Sequence, residues 1–373
     1  MSSTRPTDST APLRSVDWSL LAVTCALIAA GLLSIYSVGA GTPGEALFRR
    51  QLLMVAFGLG PFLLFAMVDP RFWLRHATWL YGVSVVLLSA VLFMGRTSKG
   101  AQRWVDVGPV QFQPSELAKI LLVITLSAFF AKRLSSVQTL PTFLLSIAHV
   151  VPIAALVFLQ PHLGSTLVML AIWISVCILA GVRWRHLVGA IVVGAVLGFA
   201  AYSVPGVLAP YQKQRIEALF SSDEQGANYQ TTRAKIAFGV GGLTGVGFMK
   251  GEQKQGRYIP EQHNDFVFTV IGEEGGLVGC TLILAGFGFF FYRAWRIMFE
   301  TSEPGFKMMA AGIIGLLGFH TLVNLAMNLE LIPVVGLWLP FMSSGGSLMW
   351  LCMACVGLLL AIRRCETPLL FRT

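Results

Sequence analysis

The chain has 373 residues, 55% of them hydrophobic and only 12% charged, with a mean hydropathy of +0.72. A soluble protein carries about twice that charged fraction, and runs near 20 apolar residues, enough to cross roughly 30 Å of hydrocarbon, recur along the whole length. These facts exclude a soluble globular domain and favour helical spans over a barrel. The net charge of +9 does not imply nucleic acid, because the basic residues sit largely in short segments between apolar runs.

In chain order, residues 1–16 form a polar leader in which Arg5 and Arg14 precede the first apolar run, without the pattern of a cleavable signal. Ten spans follow, at about 17–38, 51–68, 72–95, 113–131, 141–160, 163–182, 186–204, 265–292, 306–329 and 345–362. The expected fold is therefore an all-α polytopic membrane protein of ten transmembrane helices, with both termini on one side. An inside N-terminus puts fourteen basic residues in inner segments. Only five, Arg49, Arg50, Arg96, Lys99 and Arg103, then fall in short outer ones. That asymmetry predicts N-in, C-in. Residues 1–373 read as one membrane domain, with 1–16 and 363–373 as cytoplasmic tails and 205–264 as a long extracytoplasmic loop between spans 7 and 8.

On this topology the least loop-like segments, 96–116, 160–162, 205–265 and 330–344, all face outward. In the first, Ser98-Lys99-Gly100-Ala101-Gln102-Arg103-Trp104 leads to Gln113-Pro114-Ser115-Glu116 and Lys119. Pro114 suits a helix start. Glu116 and Lys119, three apart, can pair on one helix. They form either a self-neutralising buried ion pair or part of an outward polar cavity, in which Lys119 and Arg103 would meet an anionic group such as phosphate. His162, in the tight turn of 160–165, reads as an interfacial histidine.

In the long loop, Tyr211–Phe220 (which contains Arg215) and Asn228–Phe238 read as short helices, so the loop is expected to be ordered and partly helical. The run Gly241-Gly242-Leu243-Thr244-Gly245-Val246-Gly247 has no phosphate-loop spacing and reads as a turn or a close backbone approach. Asp265, Thr269 and Glu273 recur every four residues and would share one face of a helix opening at the membrane surface. Asp265 is then either a helix N-cap or a reactive carboxylate. Beyond it, Asn324 and Asn328 put amides on one helical face. Leu331–Ser347, with two prolines and Ser343-Ser344-Gly345-Gly346-Ser347, breaks the helical pattern at membrane depth. The six cysteines imply no disulfide framework, and Cys352 and Cys355 read as small packing residues.

Lys99 to Trp104, Gln113 to Glu116 with Lys119, Pro260-Glu261 through His263 to Asp265-Phe266, Gly272-Glu273-Glu274, and Pro340-Phe341 through Gly345-Gly346-Ser347 together resemble the SEDS family (shape, elongation, division, sporulation). The resemblance spans about residues 17–365 and is closer to the elongation, RodA-like branch than to the division, FtsW-like one. It implies a peptidoglycan glycosyltransferase that polymerises lipid II at the outer face of the bacterial inner membrane. Asp265 would be the catalytic carboxylate, with Trp104, Arg103, Lys119, Glu116, Gln113, Arg215, His263 and Ser343 at the substrate. Implied partners are a class B penicillin-binding protein and elongation-complex membrane proteins such as MreC and MreD. No cofactor is certain, the one candidate being a divalent cation, Mg or Mn, and no metal ligand is assigned. Four positions depart from the family pattern: His162 stands for Asp, Ser344 for Tyr, Asn264 for Thr, and Val240 for a small residue. The residues alone also leave room for a lipid flippase or transporter, a non-catalytic activator of a transpeptidase, or an outer-face glycan ligase with another acceptor.

Overall fold

In a computed structural model, the chain is described at residues 16–39, 45–94, 96–98, 101–107, 110–160, 162–204, 213, 229–256, 258–260 and 262–366. Its helices are α1 (Trp18–Gly39), α2 (Glu45–Met67), α3 (Pro70–Arg75), α4 (Ala77–Met94), α5 (Pro114–Ala131), α6 (Leu140–Leu159), α7 (Leu163–Ala180) and α8 (Trp184–Ser203). They continue as α9 (Tyr229–Gly241), α10 (Glu252–Gln255), α11 (Val267–Glu300), α12 (Pro304–Asn328) and α13 (Gly346–Glu366). Among the described residues, eight helices are long and apolar enough to cross a membrane, and the apolar stretches Ala77–Phe93 and Trp184–Ala200 of α4 and α8 are shorter. The all-α expectation thus holds for the bundle.

The helix starts follow local chemistry. Asp69 caps α3 by accepting from the Arg71 N–H at 2.8 Å, with Pro70 in the first turn. Pro114 opens α5 in the same way. Gly181, at φ 88°, closes α7 in the left-handed conformation that glycine adopts without a Cβ penalty. Helices α5 and α13 are the most enclosed, whereas α4 and α8 expose apolar side chains such as Trp79, Phe93, Ile191 and Phe199. Outward-facing apolar surface of that extent suits lipid rather than water.

The two ends of the bundle differ. At one end, Arg71 pairs with Glu303 at 3.0 Å, Asp17 pairs with Arg293 at 2.6 Å, and Glu300 takes both Arg296 and Arg363. These cations come from the set that the sequence places inside. The other end carries Asp265, about 37 Å away along the 25 residues of α12.

Two features depart from the sequence expectation. A small antiparallel sheet precedes α5: β1 (Arg96–Ser98), β2 (Ala101–Val107) and β3 (Val110–Phe112), in the order β1-β2-β3. The second departure is in α11, which runs to Glu300 and is broken at Gly276, where φ is 61° and ψ −158°. The backbone groups freed by the break are taken up by the glycine-rich run before it. Val246 and Gly247 donate N–H to the Glu273 and Glu274 carbonyls at 3.0 and 3.1 Å. In return, Leu277 and Val278 donate to the Gly242 and Leu243 carbonyls at 2.9 and 3.1 Å. A broken helix is tolerated at membrane depth only when its polar backbone is satisfied in this way.

The seam is made of backbone pressed on backbone. A Cβ on Gly241 would strike the Gly272 carbonyl, and one on Gly245 the Glu274 carbonyl. Gly276 has no room beside Gly245 and Leu243 and sits in a region of φ/ψ space that is essentially glycine-only. Gly276→Ala is therefore expected to destabilise the protein by about 1–3 kcal/mol or more, read as a lowered melting temperature in detergent. An unchanged melting temperature would contradict the seam.

Candidate active site

Asp265 lies in the turn just before α11, not inside it. The N-cap position falls on Phe266, which offers no side-chain acceptor. The predicted shared face of Asp265, Thr269 and Glu273 is thereby corrected, because helical periodicity begins only at Val267. Thr269 donates its hydroxyl to Asn328 Oδ1 at 2.7 Å, and Glu273 Oε1 accepts the Gln253 N–H at 2.7 Å.

What fixes Asp265 is its main chain. Asn324 Nδ2 and Asn328 Nδ2 both donate to its carbonyl, at 2.8 and 2.9 Å. Asn324 also donates to the Leu337 carbonyl at 2.8 Å, tying the Asp265 turn to the irregular segment after α12. The half-buried Asp265 side chain lies beside Gly336, with Oδ2 3.9 Å from where a Cβ there would sit. Asn324→Ala would leave the Asp265 and Leu337 carbonyls each one donor short, at about 1–3 kcal/mol for a buried group. We expect turnover to fall at least tenfold, because small misplacements of a reacting group are costly, with a smaller change in KM. Steady-state kinetics on the purified variant would check this, and a pure KM effect would contradict it.

The irregular segment 329–345 brings the other elements together. Ser343 accepts the Leu339 N–H at 2.8 Å and donates its hydroxyl to the Asn264 carbonyl at 2.6 Å. Ser344 N–H donates to the His263 carbonyl at 2.8 Å. Gln51 of α2 bridges the Ser343 carbonyl and the Gly345 N–H at 3.3 and 3.0 Å. Ser347 accepts the Gln113 N–H at 2.9 Å. Trp104 of β2 stacks on Trp338, with ring centres 6.2 Å apart and planes at 19°. Four separate parts of the chain (α2, the sheet, the Asp265 turn and the start of α13) therefore converge here.

Beneath them is a buried charge cluster. Lys119 is 0% exposed and donates to Glu116 Oε1 at 2.6 Å, with His320 Nε2 on its other side at 3.1 Å. Of the two sequence readings of this pair, the buried ion pair is the one observed. His320, Asn324 and Asn328 recur every four residues on α12, so one polar stripe runs from Lys119 to Asp265. His320, Gln51 and Trp338 were not among the sequence candidates. The four-residue spacing from Asn324 back to His320 was the signal that could have found the first.

Other candidates are placed as follows. Ser343 is buried with its hydroxyl engaged on both sides, as a clamp on the site. Gln113 is buried, with its side-chain Nε2 lacking a partner among the described residues. Glu116 Oε2 likewise lacks one. His263 is half-buried in the Asp265 turn. The Arg103 side chain and all of Arg215 lie outside the described residues, as does the expected helix at 211–220 apart from Lys213; the expected second helix is α9. His162 caps α7, its Nδ1 accepting the Ser165 N–H at 3.2 Å. A ring nitrogen thus fills a position that Asp often fills. Among the described residues, no three His, Cys, Asp or Glu side chains converge as a metal site. Cys352 and Cys355 are buried, free thiols.

Residues 16–367 match the family described as cell cycle proteins of the FtsW/RodA/SpoVE type. Peptidoglycan glycosyltransferase MrdB of Escherichia coli K12 is 35% identical over 349 residues, covering 93% of each chain. The probable peptidoglycan glycosyltransferase FtsW of Trichlorobacter lovleyi is 33% identical over 361 residues, covering 94% of this chain and 93% of that one. The crystal structure of Thermus thermophilus rod shape determining protein RodA superposes with a TM-score of 0.70 at 30% identity, covering 94% and 98%. A chain from a peptidoglycan synthase complex, described as coordinating polymerisation and crosslinking, gives 0.79 at 31%, covering 95% and 99%. The chain belongs to the FtsW/RodA/SpoVE family.

Proposed function

We propose that this protein is a peptidoglycan glycosyltransferase that polymerises lipid II at the outer face of the bacterial inner membrane during cell elongation. The observation that carries the reading is the mounting of Asp265. An acid is held at one end of an apolar bundle by two amides on its main-chain carbonyl, at the end opposite the cation-rich one.

The chemistry requires a base and a site for a departing diphosphate. Asp265 takes the proton from the acceptor sugar's 4-hydroxyl as that oxygen attacks the anomeric carbon of the donor. The bond to the undecaprenyl diphosphate breaks in the same displacement, with inversion and no covalent enzyme intermediate. Arg103 and Arg215 are the cations assigned to the diphosphate. Lys119, enclosed and paired with Glu116, is the third cation assigned to the diphosphate, acting from the floor of the site. Trp104, Gln113, His263 and Ser343 shape the walls.

The assigned partner is a class B penicillin-binding protein, with MreC and MreD in the same elongation assembly. The relative from a polymerising and crosslinking complex supports such a partner. The test is a gel resolving glycan ladders, run on purified protein with fluorescent lipid II, with and without the transpeptidase. A ladder is expected. Lipid II that crosses proteoliposomes without forming a ladder would instead show a transporter.

A further inference from the structure

The polar stripe of α12 carries one group that the chemistry above leaves without a task. His320 is a buried, ionisable side chain within a membrane-spanning helix. Groups of that kind are costly at such a place and mark function more often than packing. It stands four residues before Asn324 and eight before Asn328, so the three share one helical face.

The ring is engaged as an acceptor. Lys119 donates to His320 Nε2 at 3.1 Å and to Glu116 Oε1 at 2.6 Å. An ammonium has donors only. Nε2 therefore presents its lone pair, and the proton of the neutral ring sits on Nδ1, which is enclosed beside the Trp338 main chain. Two of the three Lys119 donors are thereby fixed, one by an acid and one by a neutral ring. Glu116 alone would not do this. Lysine carries its charge on a flexible four-carbon stem, and the second Glu116 oxygen, Oε2, has no partner among the described residues. A single carboxylate would leave the ammonium free to swing from one oxygen to the other.

The helix that fixes Lys119 also fixes the base. Asn324 and Asn328 hold the Asp265 carbonyl, and Asn324 holds the Leu337 carbonyl as well. Gly336 borders the Asp265 carboxylate, so the segment 336–338 meets Asp265 at one end and His320 at the other. Helix α12 is continuous from Pro304 to Asn328. Four to eight of its residues separate the two mounts, about 6–12 Å along the axis. That is the scale of a sugar joined to a diphosphate.

We propose that His320 is a positioning residue for glycosyl transfer, pinning the Lys119 ammonium at a set distance from Asp265. The base acts on the acceptor hydroxyl while the cation acts on the departing diphosphate, and both must be in place in the same displacement. One helix carrying a mount for each keeps the two ends in register. The assignment rests on the polymerase reading above, and the readouts below tell their failures apart.

Three variants of the full chain, purified in detergent, test it. His320→Leu removes the acceptor, His320→Asn is polar but too short to reach Lys119, and His320→Gln returns an acceptor oxygen near the place of Nε2. One readout is steady-state kinetics with fluorescent lipid II. The other is inhibition by farnesyl diphosphate set against farnesyl phosphate, with melting temperature followed alongside. The Leu and Asn variants are expected to lose at least about tenfold in kcat, with a smaller change in KM. Their preference for the diphosphate over the monophosphate should shrink about tenfold, and the Gln variant should recover most of both. Wild-type kcat and preference in the Leu and Asn variants would overturn the proposal. Equal losses of kcat in all three variants with an unchanged preference would also overturn it, since a packing residue gives that result. A wild-type protein that makes no ladder, yet loses the diphosphate preference in the Leu and Asn variants alone, would end the polymerase reading and leave His320 as the residue that pins Lys119.

Discussion

Asp265→Asn is expected to lower lipid II polymerisation by about 10²–10⁴-fold or more, the usual contribution of a positioned base. The change keeps the size and polarity of the side chain while removing the group that takes the proton. The fold should survive, because the two amides that anchor this turn bind the main-chain carbonyl of residue 265 and not its carboxylate. Loss of a helix cap is not a competing explanation, since the N-cap position belongs to Phe266. Initial rates from fluorescent lipid II, with the melting temperature measured alongside, would check this. A variant within about threefold of wild type would remove Asp265 from the chemistry.

Lys119→Met is expected to have the largest effect on stability. It removes the partner of Glu116 while that carboxylate stays 4% exposed inside the bundle. Breaking a buried pair from one side costs about 3–5 kcal/mol, because an uncompensated charge remains. A large fall in melting temperature, or failure to recover folded protein, should follow. Adding Glu116→Gln to Lys119→Met should restore much of the loss, since replacing both members of a buried pair is often close to neutral. A single variant that melts with wild type would mean that the pair is not enclosed as described. A double variant no better than the single would mean that Lys119 acts mainly through His320.

The hydrophobic spans were legible because twenty apolar residues in a row admit few alternatives in a bilayer, and most of their edges agree with the helices. Three differ: α2 begins at Glu45 rather than near 51, the expected span 72–95 is divided at His76 into α3 and α4, and α11 continues to Glu300 as a polar-faced extension carrying Arg293, Arg296 and Glu300. The break at Gly276 was not read from its own neighbourhood, although Gly272-Glu273-Glu274-Gly275-Gly276 interrupts the apolar run there. It exists because the run from Gly241 to Gly247 supplies the missing backbone partners, and that pairing is invisible until the chain is folded. Of the two readings of the glycine run, a turn or a close backbone approach, the seam shows the close approach. The small sheet escaped because its strands are only three to seven residues long and owe their form to pairing with each other rather than to an apolar pattern.

At the site, Asp265 stood out as a carboxylate where a carboxylate is costly. Its support was harder to see. Asn324 and Asn328 announced a polar face, but that the face serves the main chain of residue 265 follows only from geometry. Lys119 was placed by sequence in either a cavity or an ion pair, and the pair with Glu116 is present and enclosed. His320 was missed because a single histidine in an apolar helix is ordinarily a packing residue. Here it extends the asparagine stripe by one turn and meets a lysine from α5.

The central claim is that an acid at residue 265 works on the outer side of the membrane. Asp265→Cys, placed in a chain with its six native cysteines replaced and expressed in cells with an opened outer envelope, tests it most directly. A membrane-impermeant maleimide added outside should label that position in intact cells. Labelling that appears only after the inner membrane is permeabilised would contradict the account.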